Sequence, residues 1–398
     1  MAKIAIFTIT SELHDPLAVS KMTSDFLGSL GIDYEFFDND YSTYGSHSLN
    51  LIYVRTGGTE NIFRKLQPRL SEASDRPFYL LTSGMSNSLA ASMEILSYLR
   101  QNGLYGEIIH GTPGYIKRRI NELVSLVEAK RKLALMKLGV IGTPSDWLIS
   151  SKADRPLLRE YFGLKLIDIP MNELVDLVPS MSPAAPVELN VPQNLQHSMP
   201  DAWRIYNALK VLIERYQLSG YTLRCFDLLN TVENTGCLAA AQLNSEGYIA
   251  GCEGDIPSMI SMAVAKALFG VPGFQANPAS IDPEKGEILF AHCTIPFCML
   301  DHYKLDTHFE SGIGVGICGY MKEGPVTIFK FAGDASRYFL AEGELLQSFD
   351  KPGLCRTQQL IRLKEPEYTM SMLTNPVGNH HIIIPGHHKP LIRQLLTT

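Results

Sequence analysis

Before position 225 the chain has no cysteine, and the seven that follow show no paired C-x-x-C spacing. An odd number without such pairing excludes a disulfide framework and a structural zinc site, leaving reduced thiols. Long hydrophobic runs are missing too. No window approaches the ~18 uninterrupted apolar residues of a membrane span, so no membrane partner is expected. A basic stripe is also absent: charged residues make up 19% and the net charge is −6, which gives a nucleic-acid backbone nothing to bind. The opening MAKIAIFTITSELHD meets acidic and polar residues before the apolar centre of a leader develops, and a cytoplasmic protein is expected.

What is present is apolar and long. Hydrophobic residues make up 45% of 398, too many residues for one core and enough for two or three. Histidine is skewed toward the end, with seven of eleven at or after His292, so the chemistry is expected in the second half.

The first part alternates strand and helix: KIAIFTIT, the amphipathic PLAVSKMTSDFLGSLG, IDYEFFD, LNLIYVRT, RPFYLLTS and the helix SNSLAASMEILSYLRQNG. Apolar runs closed by Gly or Ser/Thr predict a mostly parallel, doubly wound sheet. Its loops TGGTE (56–60) and TSGMSNS (82–88) read as tight turns and caps, or as cradles for a phosphate or sugar hydroxyl. A long helix, GYIKRRINELVSLVEAKRKLALMK, then leads into a second α/β unit near Leu138. A Pro-rich stretch, 178–194, interrupts that unit as an exposed excursion or a hinge. There is no internal repeat.

From Tyr221 four strand candidates follow: YTLRCFDL, GYIAGC, GFQAN and EILFAHCT. Their far ends present Asp227, Glu253, Asn277 and His292, and in an open α/β sheet the ligand crevice lies outside those ends. Beyond Leu305 short strands such as GPVTIFKF, RYFLAEGELL and HHIIIPG predict a small antiparallel β domain, a partial barrel. The expected division is 1–137, a Rossmann-like α/β domain; 138–304, a central doubly wound α/β domain; and 305–398, the β domain.

In AGCEGDIPSM (250–259), Asp255 is placed as an N-cap, with Pro257 in the first turn and Gly270 closing the helix. Glu253 stands between strand and cap, contributes to neither, and is aimed at the crevice. It is either structural or functional. The match Gly314-Val-Gly316-Ile-Cys-Gly319 to a dinucleotide fingerprint is rejected, because a turn precedes it and a strand follows. Adjacent histidines on a strand face apart, so at most one of His380 and His381 enters a given site. The same alternation separates Cys252 from Glu253 and Cys293 from His292, and argues against a thiolate dyad. A converging carboxylate, carboxamide and imidazole would suit a hard divalent ion such as Mn²⁺ better than zinc.

GTPSDWLISS, YTLRCFDLL, GCLAAAQLNSEGYIAGCEGDIPSM, ANPASIDPEKGEILFAHCTIP, LDTHFESGIGVGICG, GPVTIFKFAGD and GNHHIIIPG together resemble the L-fucose isomerase-like family of metal-dependent aldose-ketose isomerases. They span most of Leu138 to the C-terminus; the first ~135 residues resemble the family only as a Rossmann-like domain. The resemblance implies Mn²⁺ or another divalent cation, held by Glu253, by Asn277 where the family has an acid, and by His381 or His380, with His308 as a further ligand. It implies proton transfer through an enediolate, with Glu253 as base and ligand. Because an amide cannot take a proton, Asp306 or Glu310 is the expected partner acid. Trp147, Arg224, Asp227 and His292 are the expected substrate contacts, with packing or ion pairing as the other reading of Trp147 and Arg224. A homo-oligomer with sites near subunit interfaces, acting on a small-molecule sugar, is implied. The alternatives are a non-catalytic carbohydrate-binding or regulatory protein on the same scaffold, and a metal-independent lyase or hydrolase.

Overall fold

The computed structural model describes residues 4–397; Lys3, where the first expected strand begins, lies outside them. The chain divides into two compact units, one running up to Ala129 and including the residues from Gln394, the other Lys130–Arg393.

In the first unit, β1 (Ile4–Ile9), α1 (Pro16–Leu30), β2 (Glu35–Phe37), β3 (Leu49–Val54), α2 (Glu60–Ala73), β4 (Phe78–Leu81), α3 (Ser88–Gln101), β5 (Gly106–Ile109) and α4 (Pro113–Leu135), whose last residues belong to the second unit, alternate. The five strands form one sheet in the order β2-β1-β3-β4-β5, every pairing parallel. β1, β3 and β4 are buried along their whole length, as continuous apolar strands of a parallel sheet must be. The α1 boundaries follow the sequence signals: Asp15 caps Ala18, Pro16 opens the first turn, and Gly31 closes it in the left-handed region at φ 56°. In α2, Pro68 within the helix masks the pattern that would announce it.

The second unit opens with β6 (Lys137–Ile141), α5 (Arg155–Phe162), β7 (Lys165–Ile169), α6 (Met171–Leu177), α7 (Met199–Tyr216), β8 (Gly220–Leu223), α8 (Asp227–Thr231), α9 (Cys237–Ser245), β9 (Ile249–Cys252) and α10 (Ile256–Phe269). Its four strands make a second parallel sheet, β7-β6-β8-β9. The Pro-rich stretch is an exposed excursion stapled to α7, where Arg204 bonds the Met181 carbonyl and Asn207 bonds those of Ser182 and Ala184.

The remaining strands are β10 (Phe274–Asp282), β11 (Glu287–His292), β12 (Leu300–Asp306), β13 (Gly316–Met321), β14 (Gly324–Phe331), β15 (Tyr338–Phe349), β16 (Thr357–Leu363) and β17 (His381–Pro385), with helices α11 (Glu367–Thr374) and α12 (Lys389–Thr397). Six of them close a barrel in the order β10-β11-β16-β15-β14-β17, while β12 and β13 pair separately. This corrects the expectation of one open sheet over 221–294. β8 and β9 join the parallel sheet, whereas β10 and β11 are antiparallel barrel strands. The cause is the length of the connection. Asp282 and Glu287 are joined by a tight turn, and a parallel pairing needs a crossover of a dozen residues or more. The strand β13 begins at Gly316, so no helix follows the rejected glycine motif.

Candidate active site

Where β9 leaves the parallel sheet, Glu253 and Gly254 adopt left-handed backbone angles, φ 63° and 67°. Gly254 has to be glycine, because a Cβ there would sit 2.6 Å from the Thr143 carbonyl oxygen and 2.7 Å from the Pro144 Cα. Glu253 has a Cβ in that region, a strain of about 1–3 kcal/mol that persists only where the surroundings enforce it. They do so through two backbone bonds: the Glu253 carbonyl accepts from Ser145 N at 2.9 Å, and Gly254 N donates to the Leu223 carbonyl at 3.0 Å. The turn thus ties the β9 end to the loops after β6 and β8, and fixes where the Glu253 carboxylate points.

That carboxylate meets two histidines, His292 at the end of β11 and His380 just before β17. His380 Nε2 lies 3.3 Å from Glu253 Oε1, and His292 Nε2 lies 3.8 Å from the same oxygen. The opposite oxygen, Oε2, accepts the Trp147 indole N–H at 2.6 Å. Glu253, His292 and His380 are all buried, and one ligand atom from each lies within 4.8 Å of the others. Burial would raise the Glu253 pKa, but the bonds from His292 and His380 outweigh it and hold the carboxyl well below the usual carboxylate range.

Behind His380 stands a second buried acid. Asp255 caps α10 with one oxygen, accepting from Ser258 N at 2.9 Å, as the sequence predicts. With the other it meets His380 Nδ1 at 2.8 Å and Lys330 Nζ at 3.0 Å. Both Asp255 and Lys330 are essentially without solvent contact. The result is a continuous buried chain, Lys330–Asp255–His380–Glu253. Burial alone would lower the His380 pKa; Asp255 and Glu253 on its two nitrogens push it up to about 9 instead. For a metal this arrangement leaves Nδ1 engaged and presents Nε2, the usual orientation of a ligating histidine.

Asn277 is the remaining expected ligand. It sits on β10 opposite Ala291, on the face that Gln275 occupies two residues earlier. Gln275 grips the backbone N and O of Cys252, the residue before Glu253. The Asn277 Oδ1 is buried with no hydrogen-bond partner. One buried carboxylate and two imidazoles are a donor set that fits a divalent cation, and an orphaned amide oxygen is the kind of further donor such an ion takes.

The other expected site residues are placed as follows. His381 faces away from His380, its ring 5.0 Å from that of Phe339 and 6.0 Å from that of Phe290, and burial lowers its pKa to about 3. It is outside the Glu253 group. His308 is buried beside Phe226, which packs edge-on against Trp147; burial, together with the charges of His292 and Arg356, lowers its pKa to about 4. Asp306 pairs with Arg356 at 3.2 Å, and Glu310 is exposed on the following loop; neither joins the group. The guanidinium of Arg224 is engaged by Asp227, Thr143, the Pro144 carbonyl and Asp146. It staples the loop that carries Trp147. Lys330 and the second oxygen of Asp255 carry no sequence signal, since a Lys within an apolar strand looks like an ordinary snorkelling residue. All seven cysteines are free thiols.

This geometry meets two relatives. A sulfoquinovose isomerase of Clostridium sp. (strain MSTE9) is 26% identical over 222 residues, 53% of this chain and 48% of that protein. A sulfoquinovose isomerase of Alkalicoccus urumqiensis is 23% identical over 305 residues, 71% of this chain and 68% of that protein. The chain is therefore similar to sugar isomerases, and spans about half the length of the first. No protein-family profile matches it. Among the described residues no helix is long and apolar enough to cross a membrane.

Proposed function

We propose that this chain is an aldose-ketose isomerase acting on a six-carbon sugar. The observation that carries the reading is the buried Glu253–His292–His380 group, with Trp147 on the second oxygen of Glu253. The relatives' names point to the same reaction class.

A divalent ion held by Glu253, His292, His380 and Asn277 would polarise the sugar's carbonyl and lower the barrier to removing a neighbouring C–H proton. The rest is the work of side chains. Glu253 takes the proton from C2 and returns it to C1, one base serving both carbons, so that the bond order moves from C1–O1 to C2–O2 through an enediolate. Trp147 holds the carboxylate through Oε2 and fixes its approach. Asp255 and Lys330 hold the His380 ring. The proton that moves between O1 and O2 needs another group, and Glu310, on the loop that carries His308, is our candidate. Asp306 is the weaker one, because Arg356 already engages it.

The deciding experiment is proton NMR of an aldose and ketose panel in D₂O with Mn²⁺, sulfoquinovose included, with Glu253→Gln as control. Loss of the C2 proton signal in the wild type and not in the variant is expected. No exchange on any sugar would sink the reading.

One observation favours a second reading, a non-catalytic sugar-binding protein on this scaffold. Asn277 stands where the resembling family has an acid. Binding without turnover, with turnover gained in Asn277→Asp, would establish it.

A further inference from the structure

Beside Trp147 lies a cavity of about 410 Å³ that the chemistry above does not use. It starts at residues belonging to the site: Trp147, whose N–H holds Glu253, and Asn379, the neighbour of His380. Among the described residues its lining holds two cations, Lys330 and Arg337, and no acid, in a chain whose net charge is −6.

The two cations differ in what they have left to give. Lys330 Nζ is bonded to Asp255 and to Ser258 Oγ at 3.3 Å, which occupies two of its three donors. Gly378 leaves its flank open: a Cβ there would lie 3.2 Å from both Cε and Nζ of Lys330. Arg337 is exposed, and one N–H reaches the neutral Asn375 Oδ1 at 3.2 Å. The nearby Asp334 is bonded to Ser336 and does not line the cavity. Ser151 adds a hydroxyl; the residue is only 4% exposed and its Oγ faces the same gap, 3.7 Å from where that Cβ would be.

We infer that this cavity binds an oxyanion carried at the end of the substrate remote from its carbonyl. Arg337 supplies a planar pair of donors, Ser151 a hydroxyl, and the third Lys330 donor lies behind them. The substrate class is an aldose with a sulfonate, phosphate or carboxylate on its last carbon. The inference rests on the isomerase reading for the direction in which the sugar lies, and on the cavity alone for the charge.

The test is titration calorimetry on the full chain, with and without Mn²⁺, alongside turnover. The ligands are sulfoquinovose, glucose 6-phosphate, glucuronate and the neutral 6-deoxyglucose; the proteins are wild type, Arg337→Ala, Arg337→Lys and Ser151→Ala. At least one anionic sugar should bind about tenfold to hundredfold tighter than 6-deoxyglucose, and Arg337→Ala should erase that margin with its melting temperature unchanged. Arg337→Lys should restore part of it. Which anion gains most identifies the group. Equal affinity for charged and neutral sugars, or an unaffected Arg337→Ala, overturns the cavity assignment while leaving isomerisation standing. Arg337-dependent binding without turnover keeps the cavity and fells the isomerase. If none of the four binds, the oxyanion site is wrong.

Discussion

Trp147 donates its indole N–H to Glu253 Oε2 at 2.6 Å across 106 positions of sequence. The bond crosses from the loop after β6 to the end of β9, and leaves Oε1 to the two histidines. Removing that donor while keeping the ring separates positioning from packing. Trp147→Phe is expected to lower kcat about tenfold to hundredfold, the worth of one hydrogen bond to a charged group, with a smaller change in KM. Steady-state kinetics and a melting curve check it.

Lys330 and Asp255 form an ion pair with almost no solvent contact. Lys330→Met would leave Asp255 buried and answered only by His380 and Ser258. Breaking such a pair costs about 3–5 kcal/mol, so the urea midpoint should fall sharply. An unchanged midpoint would mean that the pair does not hold His380.

The two adjacent histidines should separate cleanly. His380→Gln is expected to abolish tight divalent-ion binding, because its Nε2 faces Glu253. His381→Leu should leave it within a factor of about two and cost little stability, since it removes a buried Nε2 that has no partner. Calorimetry with Mn²⁺ on both variants reads the difference.

The metal-free protein should depend on pH through His380. Its pKa of about 9 lies above the ~6.5 of an unfolded histidine, so its contribution to stability is complete below ~6.5 and is lost as pH rises through 9. Over the same window divalent-ion affinity should increase, because the Nε2 proton has to leave before an ion binds. Melting temperatures from pH 6 to 10, and proton release measured in buffers of different ionisation enthalpy, test both halves. The melting trend should disappear in His380→Gln.

Glu310→Gln should slow turnover while leaving divalent-ion affinity alone; full activity would remove it from the mechanism.

Local signals were legible because they act over a few residues. Asp255 and Pro257 announced the α10 start, and so placed Glu253 in the short turn between strand and cap. The parallel sheet of the first unit was readable from apolar runs, and the barrel strands β14, β15 and β17 from their short alternating texture, whereas β10 and β11 read as part of the open sheet. Barrel closure was not readable. It depends on β10 pairing with β17 more than a hundred positions away, a contact no local pattern encodes.

By itself, then, the sequence determined the elements, the Glu253 turn and the residue types available to the chemistry, since caps, turns and periodicity are short-range effects. The tertiary structure alone decided that His380 and not His381 meets Glu253, because strand register sets which neighbour faces which way. It alone decided that Lys330 stands behind Asp255 and that Trp147 reaches Glu253. Those contacts join separate elements, and only packing brings them within hydrogen-bond reach.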